Sequence, residues 1–486
     1  MRGMTGAPAA RRAARLFAPS TRIPPNPPRM HPAMNAPTRT TARIVTVLTI
    51  GLVALAPAVP AAHGEPLAFI GARIIPVAGD EIEQGTLLVD GSKIVAVGPV
   101  ESVPIPDDAR RIDVEGRVIM PGLICTHSHV GGIGGADGSG PIQPGVRIFD
   151  SLNVLDSGFK RAVAGGLTTL NIMPGSGHLC SGQTVYVKLR LSPTPGRIDD
   201  LFISDDKQRP LGGLKMANGT NPMRDPPFPG TRARSAFLVR EQYLKAREYH
   251  AKVQRAGDDP QKLPPRDLHL EALVEAMQGR RVVHHHTHRH DDIITVVRLA
   301  QEFGFRVVLH HVSEGWKVAD ELARAGVPCS VILVDSPGGK LEARDMRFDT
   351  GRVLAEAGVR VAFHTDDWIT DSRIFLRMPA LAVRAGMPRQ AALEAVTLAG
   401  AEMLDLDERI GTLAPGKDAD FAILNGDPFS VYTLVLETWV EGVRVFDRND
   451  PQDRLYAEGG YGAGHDQSPY FCCFQEAIET QARGGD

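Results

Sequence analysis

Cysteine is scarce in this chain: five residues in 486, at positions 125, 180, 329, 472 and 473, none in the paired spacing of a thiolate metal site. At most two disulfides can form, and at least one thiol stays outside them unless it pairs with another chain. A surplus of positive charge is also missing. Of 54 Lys and Arg, eight Arg lie in residues 1–64, a stretch without any acid, so the remainder sets 46 basic residues against 57 acidic ones, a formal charge of −11. A body of that charge repels nucleic acid and anionic membrane, which excludes nucleic-acid binding as its main task. No internal repeat is visible, and biased sequence is confined to a proline-rich leader and the stretch NPMRDPPFPG, read as an ordered loop or lid. What is present is 43% hydrophobic and 23% charged residue with 50 Gly and 37 Pro, the balance of a loop-rich globular protein. The length is about three times that of a usual domain and favours two domains or one large barrel.

Long apolar runs are lacking too. The run at 44–56, IVTVLTIGLVALA, has 13 residues and is too short to span a bilayer comfortably. Arg39 and Arg43 precede it and the small residues PAVPAAHG follow, which is the order of a secretory signal. Residues 1–61 are therefore read as a leader with a signal peptide, cleaved after Ala58 or Ala61, with Met34 a tidier start than Met1. Export to the periplasm or the extracellular space is expected. No Cys follows the run, so no membrane anchor is expected after cleavage.

Alternating apolar residues with Gly-containing breaks at 67–118 predict short strands, and DADFAILNGD and ETWVEGVRVFD repeat the pattern near the other end. Segments 62–118 and 406–450 are expected to pair into one small β-sandwich, followed by a tail at 451–486. Between them, eight strand-like runs alternate with helical patterns: VIMPGLICTH, LTTLNIMP, TVYVKLRL, GLKMA, RVVHHH, RVVLHHV, VPCSVILV and VRVAFHT. Eight strands with β/α alternation predict an α/β fold, a (β/α)8 TIM-type barrel over 119–405, with functional groups at the C-terminal ends of the strands.

Ten of the sixteen His fall at or beside the ends of four of these strands: His127, His129, His284, His285, His286, His288, His290, His310, His311 and His364. In THSH the two imidazoles are two residues apart, so an extended backbone points both to one face, where they can grip one ion. By the same parity His284, His286 and His288 share a face and His285 opposes them. His310, opposite in parity to His311, is expected to pack between strand and helix. Asp291 and Asp292 suit a helix N-terminus.

The blocks VDGSKIVAVGP, IDVEGRVIMPGLICTHSHVG and GTLAPGKDADFAIL resemble the amidohydrolase superfamily, in its imidazolonepropionase-like branch, over about residues 67–447. The resemblance implies a metal-bearing barrel with a composite β-sandwich, and hydrolysis of a C–N bond in an amide, cyclic amide or dipeptide-like substrate. It implies His127 and His129 as metal ligands from the first strand, His286 from the fifth, His311 from the sixth and Asp366 from the eighth. Lys215 matches the lysine that, carboxylated, bridges two ions in many members; Lys188 in VYVKLRL is its rival. His288, Arg289 and His364 are expected at the substrate. Arg289 stands where imidazolonepropionases and related deaminases place a proton-handling Glu, and Thr220 stands where relatives carry Glu before Asn-Pro.

Imidazole and carboxylate suit Zn²⁺, and one or two such ions per chain are expected. The ion acidifies water and polarises the carbonyl, and Asp366 can act as general base and then acid. A mononuclear hydrolase with a structural Lys215, and a catalytically silent metal-binding envelope protein, are the competing expectations.

Overall fold

The computed structural model describes residues 65–132, 137–333, 340–367 and 369–459. The leader with its signal sequence, Cys472 and Cys473 lie outside the described residues. Cys125, Cys180 and Cys329 are buried free thiols, the first two pushed up to about 12 mainly by burial.

The alternating N-terminal segment forms β1 (Leu67–Ile74), β2 (Ile82–Asp90), β3 (Lys93–Pro99), β4 (Arg110–Asp113) and β5 (Val118–Pro121). The central segment adds β6 (Leu123–Ser128), β7 (Leu167–Ile172), β8 (Cys180–Gln183), β9 (Val185–Lys188), β10 (Leu214–Ala217), β11 (Val283–Thr287), β12 (Val307–His311), β13 (Cys329–Val331) and β14 (Val361–Phe363). Near the C-terminus come β15 (Phe421–Leu424), β16 (Val435–Val440) and β17 (Val443–Asp447).

Both ends of the chain share one eight-stranded sheet, in the order β17-β16-β15-β5-β1-β2-β3 with β4 paired to β1. The seam is the antiparallel pair β5–β15, which sets Ile119 opposite Ile423. Phe69, Phe421 and Trp439 lock the two ends together, with ring centroids 5.0–5.6 Å apart, a spacing at which aromatic pairs add to simple burial. The run read as one strand, VIMPGLICTH, is two. It breaks at Gly122, where a Cβ would stand 2.3 Å from the Thr168 side chain, so β5 belongs to the end sheet and only β6 enters the centre.

The central strands form a six-stranded sheet, β14-β13-β12-β11-β10-β8, and a three-stranded sheet, β6-β7-β9. From β10 to β14 every pair is parallel, whereas β8 runs antiparallel to β10 and β9 antiparallel to β7. Strict β/α alternation therefore fails between β7 and β10. The segment 173–184 carries Pro174, Gly175, Gly177 and Gly182 and has no length for a helix, so the chain doubles back. Backbone bonds tie the three-stranded sheet to segments flanking the six-stranded one, from Tyr186 N–H to the Leu211 carbonyl before β10 (2.9 Å) and from Asp366 N–H after β14 to the His127 carbonyl (3.0 Å). The segment expected as tail begins with a helix, Pro451–Glu458, capped by the Asp450 carboxylate. Among the described residues no helix is long and apolar enough to cross a membrane.

Candidate metal centre

His127 is the last but one residue of β6 and His129 follows the strand, and the pleat turns both rings inward. Their Nε2 atoms are 3.2 Å apart, and Asp366 Oδ1 lies 2.9 Å from His129 Nε2 and 3.3 Å from His127 Nε2. Lys215, on β10, places Nζ 3.0 Å from His127 Nε2 and donates to Met173 Sδ at 3.1 Å. His129 is oriented from behind by the Met173 carbonyl, 2.7 Å from its Nδ1.

Lys188, the rival, is elsewhere. It is buried among Asp418, Asp420 (3.0 Å) and Glu441 (3.2 Å), where β9 meets the end sheet.

The parallel register of β10, β11 and β12 lines up the remaining imidazoles, with Ala217 beside His286 and His286 beside His310. His286 meets His311 and His288 edge-on, with ring centroids 4.2 Å and 4.7 Å away. His288 is held by Ser313 Oγ, 2.8 Å from its Nδ1, and His364 by Ser330 Oγ, 2.7 Å from its Nδ1. The His364 ring stacks on His127 at 4.8 Å. His285 faces away, as parity requires, with Nδ1 at the His286 carbonyl.

Two sequence readings need correction. His310 is not packed against a helix: its Nε2 lies 3.0 Å from His284 Nδ1, and its ring is 5.0 Å from His127. Neighbouring His311 still reaches the same cluster because its φ is +71°, a left-handed conformation that swings the chain end inward. Arg289 is not brought to the cluster. It occupies the N-cap position of the helix His290–Phe303 without a side-chain capping bond and pairs with Asp291 at 2.8 Å, half in solvent. Asp292 pairs with Arg232 (2.8 Å), and Glu314 rather than either aspartate receives the His290 backbone N–H (3.0 Å).

Asp366 also has a left-handed φ, +48°. Such conformations cost about 1–3 kcal/mol for a non-glycine residue and persist where surrounding structure holds them. Asp367 turns the other way and accepts from Ser128 Oγ (2.8 Å), Thr365 and Ser372. The electrostatics of the two acids diverge. Burial opposes charge on both, but the His129 bond and nearby cations hold Asp366 at about 2, whereas burial wins at Asp367 and raises it. Burial first, then the Lys215 ammonium, keeps His127 neutral; burial and neighbouring imidazoles and ammonium groups do the same for His286, His288 and His311.

These groups fit a divalent ion. A ligand imidazole must be neutral, and His127, His286, His288 and His311 are held so. His127 Nδ1, His286 Nδ1 and His311 Nε2 are buried with no hydrogen-bond partner among the described residues. Three sets of donor atoms converge to within 4.8 Å: His127, His311 and Asp366; His286, His288 and His311; and His127, His310 and His364. The sequence reading missed Lys340, whose Nζ lies 3.4 Å from His288 Nε2, and Asn221, whose Nδ2 lies 3.2 Å from His286 Nε2. Both sit on loops, where no strand periodicity marks an inward face.

A family model described as the amidohydrolase family matches residues 246–446. Amidohydrolase tasK of Hapsidospora irregularis is 28% identical over 391 residues, 75% of this chain, which spans only 40% of that relative's length. The imidazolonepropionase of Rhizobium rhizogenes is 26% identical over 397 residues, 74% of this chain and 91% of its own. Among solved structures, an amidohydrolase from Thermotoga maritima MSB8 is 31% identical with a TM-score of 0.72, over 79% of this chain and all of that one.

Proposed function

The chain belongs to the amidohydrolase superfamily, and on that premise we propose that it is an exported, zinc-dependent hydrolase of carbon–nitrogen bonds acting on an amide, cyclic amide or dipeptide-like substrate. In this reading the central strands correspond to a (β/α)8-type barrel with the β8–β9 excursion inserted, and the end sheet to the composite β-sandwich of the family. His127, His129, Lys215, His286, His311 and Asp366 would hold the metal, with Lys215 carboxylated between two ions. A divalent ion bound there supplies electrophilic polarisation of the carbonyl and acidifies the attacking water. Asp366, held ionised against His129, takes the water's proton and delivers it to the leaving nitrogen. His288 and His364, each locked by a serine hydroxyl, line the substrate side and exclude water from it.

One observation carries this reading. Three distant parts of the sequence meet in a buried centre, where His127 lies 3.0–3.3 Å from His129, Lys215 and Asp366, and His129 lies 2.9 Å from Asp366. Lys215 as an ammonium would repel ions, and as a carbamate it becomes an anionic bridge. Metal analysis of purified wild type and Lys215→Ala tests this. Two ions per chain in wild type, falling to one in the variant, are expected. One ion in both would establish the mononuclear form, and metal-free, inactive protein would sink the hydrolase reading.

A further inference from the structure

Lys340, preceding the short helical turn Leu341–Ala343, brings a second ammonium to the centre. Lys340 Nζ stands 3.4 Å from His288 Nε2 and 3.5 Å from His286 Nε2, with the side chain 21% exposed. Ser313 grips His288 Nδ1 from behind, which leaves Nε2 facing the lysine. Glu342, two residues on, is buried, but its Oε1 is 3.8 Å from Lys340 Nζ, beyond hydrogen-bond reach. That carboxylate is already engaged by the Thr220 N–H (2.9 Å) and Arg232 (3.3 Å). The ammonium thus stands at the edge of the cluster, ion-paired with Glu342 Oε1 at 3.8 Å but not hydrogen-bonded to it, since Thr220 and Arg232 both hold the other oxygen.

An ammonium has only donors. Once His286 gives its lone pair to an ion, that partner is lost to Lys340, and a cation beside a metal seeks an anion. Asn221 Nδ2, 3.2 Å from the same His286 nitrogen, adds a neutral donor aimed at the same place. An ammonium and an amide side by side suit the two oxygens of a carboxylate. Lys340 lies on the His286–His288 edge, while Asp366 is engaged with His127 and His129, so the lysine stands aside from the proton-handling acid.

We propose that Lys340 determines specificity by binding a carboxylate on the substrate, so that the preferred substrates are amides bearing a free carboxylate, such as N-acyl amino acids. This rests on the hydrolase reading above, and a binding measurement separates the two.

Titration calorimetry on metal-replete protein with N-acetyl-L-leucine and N-acetyl-L-leucinamide is the first arm, and hydrolysis of the same pair is the second. Wild type should bind the acid at least about tenfold more tightly than the amide, the value of one charge-assisted hydrogen bond. Lys340→Met should abolish that preference, chiefly through KM in the hydrolytic arm, and Lys340→Arg should restore most of it. A preference that survives in Lys340→Met, or its absence in wild type, overturns the proposal. So does a loss of kcat that is equal for acid and amide, the mark of a lysine that stabilises the oxyanion instead. Preferential binding without turnover would support the anchor while counting against the hydrolase reading.

Discussion

Two adjacent carboxylates in the turn beyond β14 have opposite surroundings, and this is the sharpest test at the scale of residues. Asp366 meets two imidazoles and stays ionised, with its pKa at about 2. Asp367 meets three hydroxyls, and burial raises its pKa against their hydrogen bonds. Asp366→Asn keeps size and an oxygen donor but removes the base, so turnover should fall at least about a hundredfold, the low end for losing general base catalysis. Asp367→Asn should lose far less. Steady-state rates of both variants on any amide that wild type cleaves make the comparison, and an active Asp366→Asn beside an inactive Asp367→Asn would move the catalytic carboxylate by one residue.

At the scale of elements, β9 is tied to the end sheet by ions. Lys188 is surrounded by Asp418, Asp420 and Glu441, and Asp420 has no other cationic partner among the described ion pairs. The Glu441 N–H to Asp420 bond, 2.7 Å, does not replace a charge. Lys188→Met leaves buried carboxylates uncompensated and should cost about 3–5 kcal/mol in urea unfolding, the usual result of removing one partner of a buried pair. Unchanged stability would show that Arg190, Arg409 and Lys93 suffice. Acid should act on the same junction. Burial works against Asp418 and Glu441, but Lys188 and their other cationic partners hold both at about 2, below their ordinary 3.8 and 4.5. Their contribution is complete above the ordinary carboxylate range and disappears as pH falls towards 2. Asp420, raised by burial, contributes with the opposite sign.

For the whole molecule, the open question is where the chain works. The acid-free leader with its 13-residue apolar run leads to the expectation that mature protein begins near residue 59–63. N-terminal sequencing of protein from the producing cell checks it, and an intact leader on active cytoplasmic protein would refute export. The body that remains carries the formal charge of −11, so cationic and neutral small molecules meet no global barrier. A carboxylate-bearing substrate approaches against the net field and depends on a local cation such as Lys340.

The strand runs, the pairing of both chain ends, and the inward parity of His127, His129, His284 and His286 were legible from residue pattern, because period-two alternation and hydrophobic burial are local properties of a strand. Asp366 was legible as a candidate, but the parity offered for it has no basis in the fold: β14 ends at Phe363, and a left-handed φ aims the carboxylate. The same device at His311 lets two neighbouring histidines, His310 and His311, face one cluster, which alternation forbids. The choice between Lys215 and Lys188 also lay beyond the sequence. Both lie in short apolar strands with a buried side chain, and only the tertiary structure sets one beside imidazoles and the other beside three acids. Local pattern decides which face a side chain takes; what waits on that face is set by distant segments, as it is for Lys188 by Asp418, 230 residues on.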